Sequence, residues 1–338
     1  MSNAKLRVGD IASRPSRRRL RASREYGVLG LLVVTIVVVQ IVNRGFLSAG
    51  NILDMLIQCS PFAIMACGMT FVILTREIDI SVGSMVGLLA ALAGIACAGS
   101  RMGLPVWVAV LATCAAGILL GLANGVLVTY GRVPSIIVTL GMLIVLRGVT
   151  ELLMAGRWIT DLPEGIRYLG TGGLLGIPVP VAVAAVVVVL SVLMARETPL
   201  GRWIYAVGSN PTASAMRGLP VRRVKLFVFT LMGLLTAIAT LVSVPRLSVI
   251  ESGLGVGWEL FVVTCVVVGG TSVSGGRGSI IGSVLGVLLL GIIRTVLVFL
   301  RLGDEATYWE RAIQGVFILA AVLADRIASR RTEREIGS

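Results

Sequence analysis

Histidine is absent from all 338 residues. Its absence removes the commonest metal ligand and the side chain best placed to move protons near neutral pH. Lysine occurs only at Lys5 and Lys225, and neither follows a glycine-rich loop, so the Gly-Lys-Ser/Thr cradle of a nucleotide-binding P-loop has no counterpart. Charge is scarce too. Asp, Glu, Lys and Arg together make up 14% of the chain, against roughly 25% in soluble domains. Such a chain has too little polar surface to cover itself in water. The five cysteines, Cys59, Cys67, Cys97, Cys114 and Cys265, each fall inside an apolar run with no close pair. They read as small buried hydrophobes rather than disulfides or metal ligands. No nucleophile–base set is recognisable, which counts against a membrane-embedded enzyme. Neither a metal nor a cofactor is expected.

What fills the chain instead is apolar sequence, 56% of residues with a mean hydropathy of +0.97. Repeated runs near 20 residues predict an all-α, polytopic bundle of transmembrane helices; a β-barrel would alternate over ten-residue segments. About ten spans are expected, at 27–43, 52–74, 82–99, 104–129, 134–155, 178–196, 223–246, 257–271, 276–298 and 308–325. The run 257–271 is short enough to be re-entrant. Residues 1–26 form a basic arm carrying Lys5, Arg7, Arg14, Arg17, Arg18, Arg19, Arg21 and Arg24. The arm is long and no small-residue cleavage pattern follows the first apolar run, which therefore reads as an uncleaved span.

The net charge of +13 sits mostly at the chain ends and in the loop 197–222, with Arg202, Arg217 and Arg222. Positive-inside bias accounts for that distribution better than nucleic acid does. It predicts a transmembrane domain over 27–325, with both termini, the 326–338 tail and the 197–222 loop in the cytoplasm. The intervening loops 156–177, 247–256 and 299–307 then lie outside, none large enough to fold alone.

Three polar stretches interrupt the apolar pattern. The first, "TREIDISVGS" at 75–84, places Arg76, Glu77 and Asp79 between two apolar runs. As a plain turn its charges would be solvated. As a break in the helical path it would line an internal cavity, since non-helical backbone at membrane depth must face protein or water. Ser81, Gly83 and Ser84 suit a break, and Asp79 is placed either to cap the next helix or to meet a ligand. The second, "GGTSVSGGRGS" at 269–279, contains Thr271 and Ser272 and predicts a tight re-entrant turn or helix junction. The third, in the loop 197–222, reads Asn210 as an N-cap, Pro211 as the first helical residue and Gly218 as a left-handed stop, which predicts a short helix over 211–217. Ala213 and Arg217 then share a face suited to docking a partner. In addition, "GSMVGLLAALAG" from Gly83 echoes "GSIIGSVLGVLLLG" from Gly278, each with a glycine four residues on (Gly87, Gly282). This points to an internal repeat built on close helix approach.

The stretches "REIDISVGS", "AVGSNPTASAMRG" and "VVVGGTSVSGGRGSIIGSVLG" resemble the three signatures of ribose-type ABC transporter permeases, within the larger group that includes branched-chain amino-acid permeases. Order and spacing match, over residues 50–325. Where that family shows "GIDLSVGS", this chain carries Arg76–Glu77 before Ile78. The resemblance implies the permease subunit of an ATP-driven, binding-protein-dependent sugar importer in a bacterial inner membrane. Its implied partners are an ABC ATP-binding subunit, a periplasmic sugar-binding protein and a second permease subunit, identical or not. Asp79, Ser81, Gly83, Ser84, Thr271 and Ser272 become candidates for the substrate pathway or its support. Gly208, Asn210, Ala213, Arg217 and Gly218 become candidates for coupling to the ATPase. The sugar stays open among ribose and other pentoses, a deoxyhexose such as rhamnose, and sugar-like or nucleoside molecules. The competing expectation is an ion-coupled secondary carrier, in which Asp79 or Glu259 would carry protons or sodium.

Overall fold

The computed structural model describes residues 17–299 apart from 175 and 248, together with parts of 308–323. Helices dominate. In chain order they are α1 (Arg17–Val42), α2 (Ala49–Leu74), α3 (Val82–Cys97), α4 (Val106–Thr129), α5 (Ser135–Met154), α6 (Glu164–Thr171), α7 (Val179–Glu197), α8 (Pro199–Ser209), α9 (Pro211–Met216), α10 (Val221–Ser243), α11 (Trp258–Val268) and α12 (Ile280–Phe299). Between α6 and α7, β1 (Gly173–Leu174) pairs antiparallel with β2 (Ile177–Pro178). A 3-10 turn, Val244–Arg246, follows α10.

Each of the first nine expected spans contains a helix, while 308–325 is only partly described and residues 1–16 and 326–338 lie outside the described residues. Six of these helices are long and apolar enough to cross a membrane. They divide into an inner and an outer layer. Of the 18 most apolar residues, 78% are buried in α2 and 67% in α10, against 22% in α4 and 17% in α5. The outer helices expose Leu111, Leu119, Ile137, Ile144, Val186 and Leu190, a surface that lipid and not water would cover.

Glycine sets how closely the layers approach. Gly117, Gly121 and Gly125 recur every four residues along one face of α4 and press on α10. A Cβ at Gly117 would lie 2.8 Å from that of Ala237, and one at Gly125 would lie 2.9 Å from a Leu226 methyl. Without side chains in the seam, the two backbones pack directly, as in other transmembrane helix pairs. The described cysteines are all unpaired, and Cys59, Cys67, Cys97 and Cys265 are buried among apolar neighbours.

Two regions depart from the sequence expectation. The 197–222 loop holds two helices, α8 and α9, because Thr198 accepts from the Gly201 N–H and Pro199 supplies a ready first turn. The stretch 247–256 is not a free surface loop. It starts beside Ile159, to which Ile250 is bridged, and then runs antiparallel along α3. Ile250 meets Gly94, Leu254 meets Gly87 and Gly255 meets Gly83. Arg147, inside α5, donates through Nη1 to the carbonyls of Ser252 (3.0 Å) and Leu254 (2.9 Å). Non-helical backbone is thereby satisfied alongside a buried helix, the condition for its existence there. The eleven-residue α11 follows as a half-length helix.

Candidate functional site

Between α2 and α3 the chain leaves helical geometry over residues 75–81, and each central residue is held by a different element. Arg76 is left-handed, at φ 67°. Its Nε donates to the Gly208 carbonyl (2.6 Å) and Nη2 to that of Ser209 (2.7 Å), the last carbonyls of α8. Those carbonyls have no partner within their own helix and form its negative pole, so a guanidinium is well matched to them. A left-handed backbone costs a non-glycine residue about 1–2 kcal/mol, and two charge-assisted hydrogen bonds offset it. Glu77, nearly buried, pairs with Lys225 near the start of α10. The Ile78 N–H donates to the Ser135 hydroxyl (3.2 Å), and its carbonyl accepts from Thr139 (3.4 Å), both on α5.

Asp79 is wholly buried. Its Oδ1 accepts from the Ser81 N–H (2.9 Å) and the Ser81 hydroxyl (2.6 Å). The Asn124 amide of α4 donates to Asp79 Oδ2 (3.4 Å) and to Ser81 Oγ (2.9 Å). Ser84 closes the first turn of α3 by donating to the Ser81 carbonyl (2.7 Å). The carboxylate therefore builds the turn into α3 from two residues ahead of the cap, since Ser81 occupies the N-cap position without a side-chain cap bond of its own. Glu77 and Asp79 are not the solvated charges of a plain turn.

The glycine-rich stretch 269–279 meets this break directly. The Gly276 N–H donates to the Leu74 carbonyl (3.0 Å). Gly275 and Gly276 are left-handed, at φ 79° and 69°. A Cβ at Gly275 would lie 3.1 Å from the Gly208 carbonyl oxygen and 3.2 Å from the Arg76 nitrogen. One at Gly208 would overlap the Leu74 carbonyl oxygen and sit 2.6 Å from the Gly276 nitrogen. The three polar stretches, 75–84, 201–220 and 269–279, thus converge on one junction where backbone packs on backbone.

Thr271 and Ser272 are both buried, and Thr271 belongs to a second cluster. Thr271 Oγ1 lies 3.4 Å from Ser283 Oγ, which accepts from Thr70 on α2 (2.7 Å). The Ser272 N–H donates to the Arg277 carbonyl (2.8 Å) and closes the turn. The Thr271 hydroxyl is thereby joined to α12 and, through Ser283, to α2. Gly83 faces the opposite partner, where a Cβ would run into Glu259 and the Gly255 carbonyl.

The short helix behaves as its residues predict. Asn210 Oδ1 accepts from the Ala213 N–H (2.9 Å), Pro211 opens α9, and Gly218 is left-handed at φ 79°. Ser214 is buried, Ala213 half-buried, and Arg217 exposed at the C-cap. Met216 stands 85% exposed beside it, an apolar knob on an otherwise polar loop.

Asn124 and Arg147 were missed by the sequence reading, although each is an isolated polar residue in an apolar run, a signal of function in membrane helices. Asn124 Oδ1 and Glu259 Oε2 are buried with no hydrogen-bond partner. Buried polar atoms are rarely left so. Both oxygens lie beside the first turn of α3, one approached from α4 and the other from α11.

The sequence family described as "Branched-chain amino acid transport system / permease component" matches residues 51–322. Among individual proteins, the chain is 40% identical over 298 residues to the ribose import permease protein RbsC of Haemophilus influenzae, covering 87% of this chain and 90% of that one. It is 39% identical over 301 residues to the RbsC of Bacillus subtilis, covering 88% and 91%. Identity to the autoinducer 2 import system permease protein LsrC of Escherichia coli is 33% over 306 residues, covering 90% and 88%. No solved structure matches. With the match spanning the break, the capped helix and the glycine-rich junction alike, the chain belongs to the branched-chain amino acid transport system permease-component family, as a multi-pass membrane permease of the ribose type.

Proposed function

We propose that the chain is the membrane subunit of an ATP-driven, binding-protein-dependent importer of a ribose-like monosaccharide or a close sugar analogue. It would work in the bacterial inner membrane as one of two permease subunits. The observation that carries this reading is the junction itself. A buried polar break at the foot of α3 is bonded to the end of α8, one residue before the helix α9, which presents Met216 and its C-cap Arg217 outward. A substrate pathway and a docking element joined in this way suit a transporter whose energy comes from a separate subunit.

In this reading α8–α9 and both termini face the cytoplasm, and the α6 end faces the binding protein. Sugar released into the space between two permeases passes α3. There the unpaired oxygens of Asn124 and Glu259 and the hydroxyls of Ser81 and Ser84 would accept from sugar hydroxyls. Asp79 shapes that wall by fixing the first turn of α3. The names of the ribose import permeases among the relatives support a small, neutral, hydroxyl-rich cargo. ATP binding shifts the permease between states only if α9 makes different contacts with the ATPase in each.

The test is ATP hydrolysis by the reconstituted complex, with the binding protein loaded in turn with ribose, other pentoses, rhamnose, autoinducer 2 and nucleosides. One sugar class should stimulate hydrolysis and accumulate inside the liposomes. Stimulation by none of them, with the complex intact, would reject the assignment.

A further inference from the structure

We propose that Arg76 is the positioning residue that carries a displacement of α9 into the foot of α3, an inference that rests on the importer reading above. Arg76, bonded to the end of α8, is the first of five residues that lead to Ser81 at the start of α3. Its guanidinium holds the last two carbonyls of α8, and the next residue along, Asn210, caps α9. On the other side, Arg76 is followed by Glu77, Ile78 and Asp79, each bonded to a separate helix, and Asp79 fixes Ser81. Along the backbone, α9 is separated from α3 by every helix from α4 to α8. The path through Arg76 crosses one side chain.

Two features make this link stiff. Gly208, Gly275 and Gly276 bring the backbones of 74–76 and 208–209 into contact, so the end of α8 has no room to slide past the break. Arg76 also holds a left-handed backbone that glycine would adopt freely. The side chain is therefore kept at a backbone position where it is a local disadvantage, and its two carbonyl bonds are what it supplies. Arginine suits the task because Nε and Nη2 point in parallel at two neighbouring carbonyls, whereas a lysine ammonium would take them less selectively.

The test compares the native complex, Arg76→Lys and Arg76→Gly, each with its ATPase and loaded binding protein in liposomes. Glycine relieves the backbone, so Arg76→Gly is expected to insert and to capture the ATPase as the native chain does. Two quantities are read: sugar moved per ATP hydrolysed, and the change in amide hydrogen exchange over 77–84 when the ATPase binds. In Arg76→Gly, sugar per ATP should fall about tenfold, inside the range of ordinary coupling between sites, and the exchange response should vanish. Arg76→Lys should lie between. An unchanged ratio with an unchanged exchange response would overturn the proposal and leave Arg76 a helix cap. Loss of ATPase capture by Arg76→Gly would also overturn it, because Arg76 would then belong to the docking surface. If the native complex moves no sugar on ATP yet shows an exchange response that Arg76→Gly abolishes, the importer reading fails and the transmission through Arg76 stands.

Discussion

Three glycine-to-alanine substitutions, each adding the same methyl group, should give three different results. At Gly208 the new Cβ meets backbone on two sides, the Leu74 carbonyl and the Gly276 amide at 2.6 Å, and backbone cannot rotate away. Overpacking of this kind costs about 1–3 kcal/mol. Forcing the strands of the junction apart also breaks the Gly276 N–H to Leu74 hydrogen bond, worth about 0.5–1.5 kcal/mol. Gly208→Ala should therefore destabilise by about 1.5–4.5 kcal/mol from these two terms. Gly218 has open space around it but a φ of 79°, so alanine there pays only the left-handed backbone penalty of about 1–2 kcal/mol. Gly141, inside α5, has open space and an ordinary helical backbone, and alanine should stabilise it by about 0.5–1 kcal/mol. Thermal unfolding of the three purified variants in one detergent, followed by intrinsic tryptophan fluorescence, gives the order of midpoints. The expected order is Gly141→Ala, native, Gly218→Ala, Gly208→Ala. A Gly208→Ala midpoint at or above that of Gly218→Ala would refute the backbone junction.

Asp79→Ala removes the acceptor for the Ser81 N–H, the Ser81 hydroxyl and the Asn124 amide, so it should lose about 1–3 kcal/mol and impair uptake. Asp79→Asn keeps one carbonyl acceptor and should lose less; equal losses in unfolding midpoint and uptake would contradict the acceptor role. Ala213→Glu should insert normally but fail to retain or stimulate the ATPase, whereas on a free surface it would matter by no more than roughly 0.5 kcal/mol. Co-purification and ligand-stimulated hydrolysis decide between them. Asp161, at the opposite end of the bundle, accepts from the Ser100 N–H (2.7 Å), and that bond holds its carboxyl below the usual aspartate range. A pKa lowered on folding contributes stability above the unfolded value and loses it as pH falls through the folded one. Exchange of the Ser100 amide, corrected for its intrinsic rate, should stay level from about pH 7 to 5 and rise only in stronger acid, below the ordinary aspartate value near 3.9. Asp161→Asn should abolish the rise.

The helices were legible because apolar run length alone sets a span, and α9 because Asn210, Pro211 and Gly218 act through rules local to a few residues. The path of 247–256 was not. Its order comes from Arg147, more than a hundred residues earlier, and from three glycines on α3 that give it room. Asp79 was legible as a residue that caps or binds, and its geometry turns on Asn124, a partner that no local pattern indicates. The convergence of the three polar stretches was likewise invisible along the chain. It depends on Gly208, Gly275 and Gly276 being small at the same point in space. Thr271 was grouped with Asp79 by residue type, and its hydroxyl lies beside Ser283, which Thr70 reaches from α2.

The central claim is that this chain moves a sugar at the expense of ATP hydrolysed by a partner docked on α9. The measurement that meets it most directly is accumulation of labelled sugar in liposomes holding the permease and its ATPase, with the binding protein outside and ATP inside. Accumulation should require both ATP and the binding protein, should persist when proton and sodium gradients are collapsed, and should disappear in Ala213→Glu. Uptake by the permease alone, driven by an imposed ion gradient and indifferent to ATP, would contradict the claim and make the chain an ion-coupled carrier.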